Sequence, residues 1–403
     1  MDSRIDTKYL IIGNGIAGLS AAQEIYKRDE QGKVTIVSSE EYLTYYRVKL
    51  SHYISKNFDN NELMVKKEGW YKDKNIDIIL GSIVENIDTD NNVVKLDDGR
   101  ELRYEKLLLA NGSRPFVPPV AGKYKKGVLA LRTLKDLRYI KNYFEDCNSV
   151  TVIGGGLLGL EAAWAIKELG KKVNVVEFFP YLLPRQLDEE LSNKFKYILE
   201  KKGLDFYLGA AAEEVLGEEK VEGLKIKDGP EIKTDAILFS AGIRSNIGIA
   251  EKTKIDVGRG IKVDNYLRTN IDNVFAAGDI AEVNSVTLGL WTAANEQGKI
   301  AGINMTGGSK EYKLPEPYTM LNIADTSLFS VGDVKDFDDV VEFNDDENAV
   351  YHKLFLRDKK IIGAALIGDI SKMVKVKNAV NNNLDISQDL ENGLGFKDIV
   401  GKF

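Results

Sequence analysis

The chain is poor in the residues that redox and metal chemistry most often draw from protein. Its 403 residues include one cysteine, Cys147, and two histidines, His52 and His352. A lone cysteine forms no internal disulfide and no Cys-x-x-Cys pair, and it cannot supply the four thiolates an iron–sulfur cluster normally takes. The same counts exclude a Cys/His zinc site, so no metal is expected. No apolar run approaches the roughly 18 residues of a membrane span. The net charge of −7 leaves no overall basic field, which argues against nucleic acid as a partner. The N-terminal Met1-Asp2-Ser3-Arg4-Ile5-Asp6 is polar and runs straight into an apolar stretch. It is read as no signal peptide, and a cytoplasmic protein with no membrane segment is expected. No dedicated interface motif stands out, which favours a monomer over a dimer.

What the chain does have is glycine at two telling places. Gly13-Asn14-Gly15-Ile16-Ala17-Gly18 follows the apolar run Tyr9–Ile12, and Gly154-Gly155-Gly156-Leu157-Leu158-Gly159 follows Val150–Ile153. A helical pattern opens after each. In such a strand–turn–helix, the first glycine allows the tight turn, the second lets backbone approach a pyrophosphate, and the third lets helix pack on strand. The free N–H groups of the helix start then face the phosphates. One loop of this kind is weak evidence, because packing alone can call for glycine. Here each is followed by a carboxylate at the end of the next strand. Glu40 lies 22 residues beyond Gly18, and Glu177 lies 18 beyond Gly159, close to the ~20 at which an acid reaches an adenosine ribose. Ser39 and Glu41 compete with Glu40 for that role. The chain is therefore expected to hold two dinucleotides and to pass electrons between them. At the second site, Glu177 would repel a 2′-phosphate and Phe178-Phe179-Pro180 supplies no arginine for one, so NADH is expected over NADPH.

The organisation follows from this repeat. The expected fold is α/β, with two Rossmann-like dinucleotide-binding domains and a smaller C-terminal α+β domain. The first domain is discontinuous, 1–114 with 241–314; the second is 115–240; the third is 315–403. Helices are expected over Gly18–Lys27 and Leu160–Leu169. Strands are expected at Lys33–Ser38, Ile76–Leu80, Val93–Leu96, Lys106–Leu109 and Val173–Val176, with Asn273–Asp279 a strand ending in a Gly-Asp turn. In the third domain Val350–Leu356 and Ile361–Leu366 read as strands, followed by helix.

Together, Gly13–Gly18, Tyr46-Arg47-Val48-Lys49-Leu50-Ser51, Ala110-Asn111-Gly112, Gly154–Glu161, Leu183–Asp188, Ala277-Gly278-Asp279 and Trp291–Gly298 resemble the pyridine-nucleotide:disulfide oxidoreductase superfamily. The nearer resemblance is to its disulfide-free branch: rubredoxin and ferredoxin reductases, and the NADH-oxidising half of assimilatory nitrite reductase. Length and motif placement are most similar to NADH:rubredoxin oxidoreductases. The resemblance implies FAD at the first loop, with Glu40 on the adenosine ribose, Arg47 along the ribose–phosphate chain, Val84 at the adenine and Asp279 at the ribityl or pyrophosphate. Ser39, Ala110, Asn111, Gly112, Gly278, Trp291 and Gln297 would complete that site. It implies NADH at Gly154, Gly156, Leu157, Leu158, Gly159, Glu177 and Gly242. Glu161 would lie near both reacting rings. In relatives it pairs with a lysine where this chain has His52, so a Glu161–His52 contact is expected and both are assigned to catalysis. Asn111 in place of threonine, and Val48-Lys49 in place of two prolines, are further departures.

The segment Glu41–Thr44 contains no thiol, and Cys147 sits far from either family position for a redox cysteine, so it is read as structural. Reduced flavin must then discharge outside the chain, to a small one-electron carrier such as rubredoxin. Rubredoxins are acidic, and Lys372, Lys375 and Lys377 offer either a docking patch or an ordinary solvated helix face. Three rival readings remain: a diaphorase component of a nitrite reductase, a ferredoxin reductase or peroxide-forming NADH oxidase, and a non-catalytic flavin-binding redox sensor.

Overall fold

A parallel strand covered on both faces is apolar along its whole length, and two groups of strands here fit that description. Val34–Val37 and Ala236–Phe239 are buried at every residue. The computed structural model describes residues 4–316 and 318–403, so Met1, Asp2 and Ser3 of the N-terminal segment lie outside the described residues. The chain divides into two compact units: Met1–Lys49 with Asn57–Pro115 and Ile243–Pro315, and Leu50–Lys56 with Phe116–Gly242 and Glu316–Phe403.

The first unit is built on a seven-stranded sheet. Ile76–Ile79, Val34–Val37, Arg4–Ile12 and Glu101–Leu109 run parallel in that order, and Val274–Ala276 joins the last of them. Val93–Leu96 and Val84–Asp88 extend the sheet antiparallel. Glu101–Leu109 is longer than the expected Lys106–Leu109. Its first half alternates exposed and buried residues, as a half-covered antiparallel strand does. Helix Ile16–Arg28 packs along helix Trp291–Met305. A Cβ at Gly298 or Gly302 would overlap the backbone of Ala17 or Ala21, so only glycine allows this close approach.

The second unit repeats the design. Leu204–Leu208, Lys172–Glu177, Ser149–Ile153, Ala236–Phe239 and Val128–Ala130 form a five-stranded parallel sheet. An antiparallel three-stranded sheet, Ala212–Leu216, Gly223–Ile226 and Glu231–Lys233, shares a core with it that includes Ile153, Val176 and Val215. The C-terminal part has its own antiparallel sheet, ordered Tyr318–Ile323, Thr326–Gly332, Lys360–Ile367, Val350–Arg357, Asp339–Asp345. Its own core joins Phe329, Leu354 and Leu366 to Val376, Phe396 and Ile399 of the closing helices.

Two details differ from expectation. The helices after the glycine loops span Ile16–Arg28 and Leu157–Glu168, starting earlier than Gly18 and Leu160. The second glycine of each loop is itself the N-cap, so the first turn precedes the apolar periodicity. The short segment Leu50–Lys56 belongs to the second unit, not to an unbroken 1–114 block. Its anchor is distant in sequence: the Lys141 ammonium donates to the carbonyls of Tyr53, Ile54 and Lys56 at 3.1, 3.2 and 2.6 Å.

Candidate functional site

The two loops assign their glycines to the same tasks. Gly13 has φ 111° and Gly154 has φ 118°, a left-handed conformation that favours glycine. Cβ atoms there would overlap the carbonyls of Ala110 and Ser240. At Gly18 and Gly159 a Cβ would overlap the carbonyl of the first glycine. These four positions are explained by protein packing alone. Gly15 and Gly156 are not: each has an ordinary extended conformation, and a Cβ on either meets no protein atom within 4 Å. Each is also the N-cap of its helix, with no side chain capping the free N–H groups and no acid in the first turn. Open space beside an uncapped helix start suits a phosphate-bearing ligand. Both loops therefore fit a dinucleotide.

In the first unit, polar groups converge beside the loop. Glu40 accepts from Arg47 Nη2 at 2.6 Å and from Tyr45 Oη at 2.7 Å. Burial disfavours the Arg47 charge, but Tyr45, Glu40 and Asp279 outweigh it and hold the guanidinium above its ordinary pKa. Asp279 accepts from Ser113 Oγ at 2.9 Å, and its carbonyl accepts from Ser245 Oγ at 2.6 Å. The Gly278 N–H donates to Gln297 Oε1 at 2.8 Å, tying the Gly-Asp turn to helix Trp291–Met305. Asn111 and Asn246 exchange side-chain and backbone hydrogen bonds, while Asn111 Oδ1 is buried without a partner. Trp291 stacks near Tyr46, ring centroids 5.8 Å apart.

The Asn14 side chain braces the loop from within. Its Oδ1 accepts from Thr44 Oγ1 at 2.7 Å, and Tyr71 Oη donates to the same hydroxyl at 3.1 Å. Ala17 and Ala110 are buried packing residues, Ile16, Gly112 and Val84 are half-buried, and Ser39 is exposed. Tyr45, Thr44 and Ser113 are participants that spacing alone does not reveal.

In the second unit Glu177 is nearly buried and turned into its own loop. Oε2 accepts from Gly155 N at 2.5 Å and Oε1 from Phe179 N at 2.8 Å. The acid thus fixes the loop and the strand end together. Leu157 is half-buried, while Leu158 and Gly242 are exposed.

Glu161 accepts from Ser51 Oγ at 2.8 Å. Ser51, the residue before the expected His52, makes this hydrogen bond. Residues Ser51–Tyr53 form a 3₁₀ turn, in which neighbouring side chains point about 120° apart. Ser51 faces inward and is buried, whereas His52 is exposed. His52 and Glu161 line a recess of about 300 Å³ with Trp164 and the turn 322–327. Ser51 directly precedes His52, but nothing in the sequence says which of the two faces inward.

The other histidine and the cysteine are core residues. Burial pushes the His352 imidazole below its ordinary pKa, and its Nε2 lies 2.6 Å from the Asp369 carbonyl. Cys147 is buried, and burial pushes its thiol up to about 11. At pH 8 almost no thiolate forms, so alkylation by iodoacetamide is expected to run about two orders of magnitude slower in the folded protein than in urea. Equal rates would show the thiol to be accessible.

Residues 7–298 match the family model described as pyridine nucleotide-disulphide oxidoreductase, and residues 317–384 match that of the rubredoxin NAD+ reductase C-terminal domain. The chain is 34% identical over 383 residues to a nitrite reductase [NAD(P)H] of Bacillus subtilis, covering 94% of this chain but only 48% of that protein. It is 32% identical to NADH-rubredoxin oxidoreductase of Clostridium acetobutylicum, covering 94% of this chain and 95% of that one. A crystal structure of a ferredoxin reductase from Rhodopseudomonas palustris superposes with a TM-score of 0.86 at 27% identity, covering 96% of this chain and all of that one.

Proposed function

Because the chain belongs to the pyridine nucleotide-disulphide oxidoreductase family, we propose that it oxidises NADH with FAD and passes the electrons singly to a small redox protein, rubredoxin being the carrier we name. FAD is assigned to the loop at Gly13–Gly18 and NADH to the loop at Gly154–Gly159. When bound, a flavin accepts two electrons as hydride from a nicotinamide and can release them one at a time.

The chain's own residues bind and orient. Gly15 and Gly156 leave room for the pyrophosphates, and the uncapped helix starts supply N–H donors and partial positive charge. Arg47 is a fixed cation for the first dinucleotide, positioned by Glu40, Tyr45 and Asp279. Glu177 stands at the second loop with its oxygens on the Gly155 and Phe179 N–H groups, where a carboxylate favours ribose hydroxyls over a phosphate. Ser51 positions Glu161 by donating to Oε2.

The observation that carries the reading is Cys147. It is the chain's one thiol, it is buried, and it has no thiol partner. Electrons have no disulfide to enter, so they leave the protein. The match to about half of a Bacillus nitrite reductase favours one other reading, the NADH-oxidising part of such an enzyme with its acceptor supplied separately.

The test is anaerobic stopped-flow with the FAD-loaded protein. NADH is expected to bleach the 450 nm band rapidly, and mixing with oxidised rubredoxin to restore it as the rubredoxin band is lost. Rapid bleaching without transfer to rubredoxin would remove that carrier and send the search to a nitrite-reducing partner, ferredoxin or oxygen. No reduction by NADH would remove the enzyme reading and favour a sensor.

A further inference from the structure

The two edge strands of the C-terminal sheet differ sharply. One edge is strand Asp339–Asp345, where Asp338, Asp339 and Glu347 are exposed acids, while Asp336 and Asp346 pair with Arg357 and Lys194 and Lys335 is an exposed cation. The other edge is strand Tyr318–Ile323. Edge strands normally show charge or proline, which keeps other chains from pairing with them. This one shows Tyr318 and Met320 on one face, 50% and 51% exposed.

Helix Met373–Asn381 borders the same face. Lys377 Nζ sits 4.0 Å above the Tyr318 ring, and the Tyr318 and Phe329 rings lie 6.1 Å apart. Val374, one turn before Lys377, is 61% exposed. Lys372 is exposed at the start of the helix. Lys375 does not share this surface, because its ammonium turns to the carbonyls of Val400 and Gly401 at 3.4 Å. The three-lysine cluster of the sequence is therefore two lysines beside an apolar patch.

We propose that Tyr318, Met320 and Val374, flanked by Lys372 and Lys377, form the docking face for an acidic one-electron carrier protein. The proposal rests on the carrier reading above. An apolar centre with a charged rim is the anatomy of a transient interface. Opposite charge across it speeds encounter and fixes orientation. The exposed Asp338, Asp339 and Glu347 at the opposite edge disfavour the same carrier there. The apolar strand also runs directly into the turn 322–327, which walls the recess holding Glu161.

The test uses the FAD-loaded full chain with NADH and two acceptors, an acidic rubredoxin and the small neutral quinone menadione, at 20 and 300 mM salt. The Lys372→Glu/Lys377→Glu double variant is expected to lose at least tenfold in kcat/KM for rubredoxin, mainly through KM, and to lose the wild type's salt dependence. Met320→Glu should act in the same direction, and menadione turnover should stay unchanged in both. Lys372 and Met320 are exposed and Lys377 is half-buried over Tyr318, and menadione turnover reports intact folding. Unchanged rubredoxin kinetics in both variants would overturn the docking face alone, as would a loss found instead in Asp338→Asn/Asp339→Asn. A wild type that reduces menadione but not rubredoxin would overturn the carrier reading and this face with it.

Discussion

Replacing Gly156 by valine is expected to raise the KM for NADH at least a hundredfold, about 2.8 kcal/mol of binding, while the protein still folds. The reason is the difference between the glycines of one loop. The backbone at Gly156 is extended, and a Cβ there meets no protein atom within 4 Å. The fold loses only the small N-cap advantage of glycine, at most about 1 kcal/mol, or roughly 2–4 °C in Tm. The added methyls fill the space left for the pyrophosphate. Gly154→Ala should behave in the opposite way. Its φ of 118° and the nearby Ser240 carbonyl make any side chain strained, so folded yield and Tm fall first. Thermal melts and NADH titrations of both variants check this. An unchanged KM in Gly156→Val would move the nucleotide away from the second loop.

The second large effect concerns stability. Lys353 is 3% exposed, yet its ammonium meets Asp188, Glu190 and Glu342 at 2.8, 2.7 and 2.6 Å. Burial opposes its charge, but the three carboxylates more than compensate and hold it above its ordinary pKa. Asp188 also caps helix Glu189–Lys201 by accepting from Leu191 N, so one lysine ties that helix start to the C-terminal sheet. Lys353→Met leaves three carboxylates facing one another. Breaking a buried pair costs about 3–5 kcal/mol. Glu190 is half exposed and screened by solvent, so a loss near 3 kcal/mol is expected.

The loss should depend on pH. Lys353 holds the Glu190 carboxyl below its ordinary pKa. A depressed carboxyl contributes stability above its unfolded pKa, about 4.3, and that contribution fades as pH falls through the folded value. Wild type therefore loses stability on acidification, while the variant gains relief as its carboxylates take up protons. The Tm gap between them should narrow from pH 7 to pH 4. A gap that stays constant would mean Lys353 acts by packing alone.

These two sites also show what a sequence makes legible. The glycine loops are readable because their spacing is imposed by the backbone itself: a tight turn, an open approach and a close packing, each at a fixed offset. Glu40 and Glu177 are readable because a strand end places them. The Lys353 cluster is not readable, because its partners come from positions 188, 190 and 342 and only the folded sheet assembles them. Ser51 is hidden for another reason. It and His52 are adjacent polar residues on a turn, and a rotation of about 120° decides which meets Glu161. The allegiance of Leu50–Lys56 depends on Lys141, some 85 residues away.

The shielding of Cys147 also makes the protein a convenient optical ruler. With the native thiol buried, one cysteine introduced at an exposed position such as Tyr124, 92% exposed, is expected to take up a maleimide fluorophore far faster than Cys147. A pair of such positions would report distances within the folded protein, with Cys147 left in place.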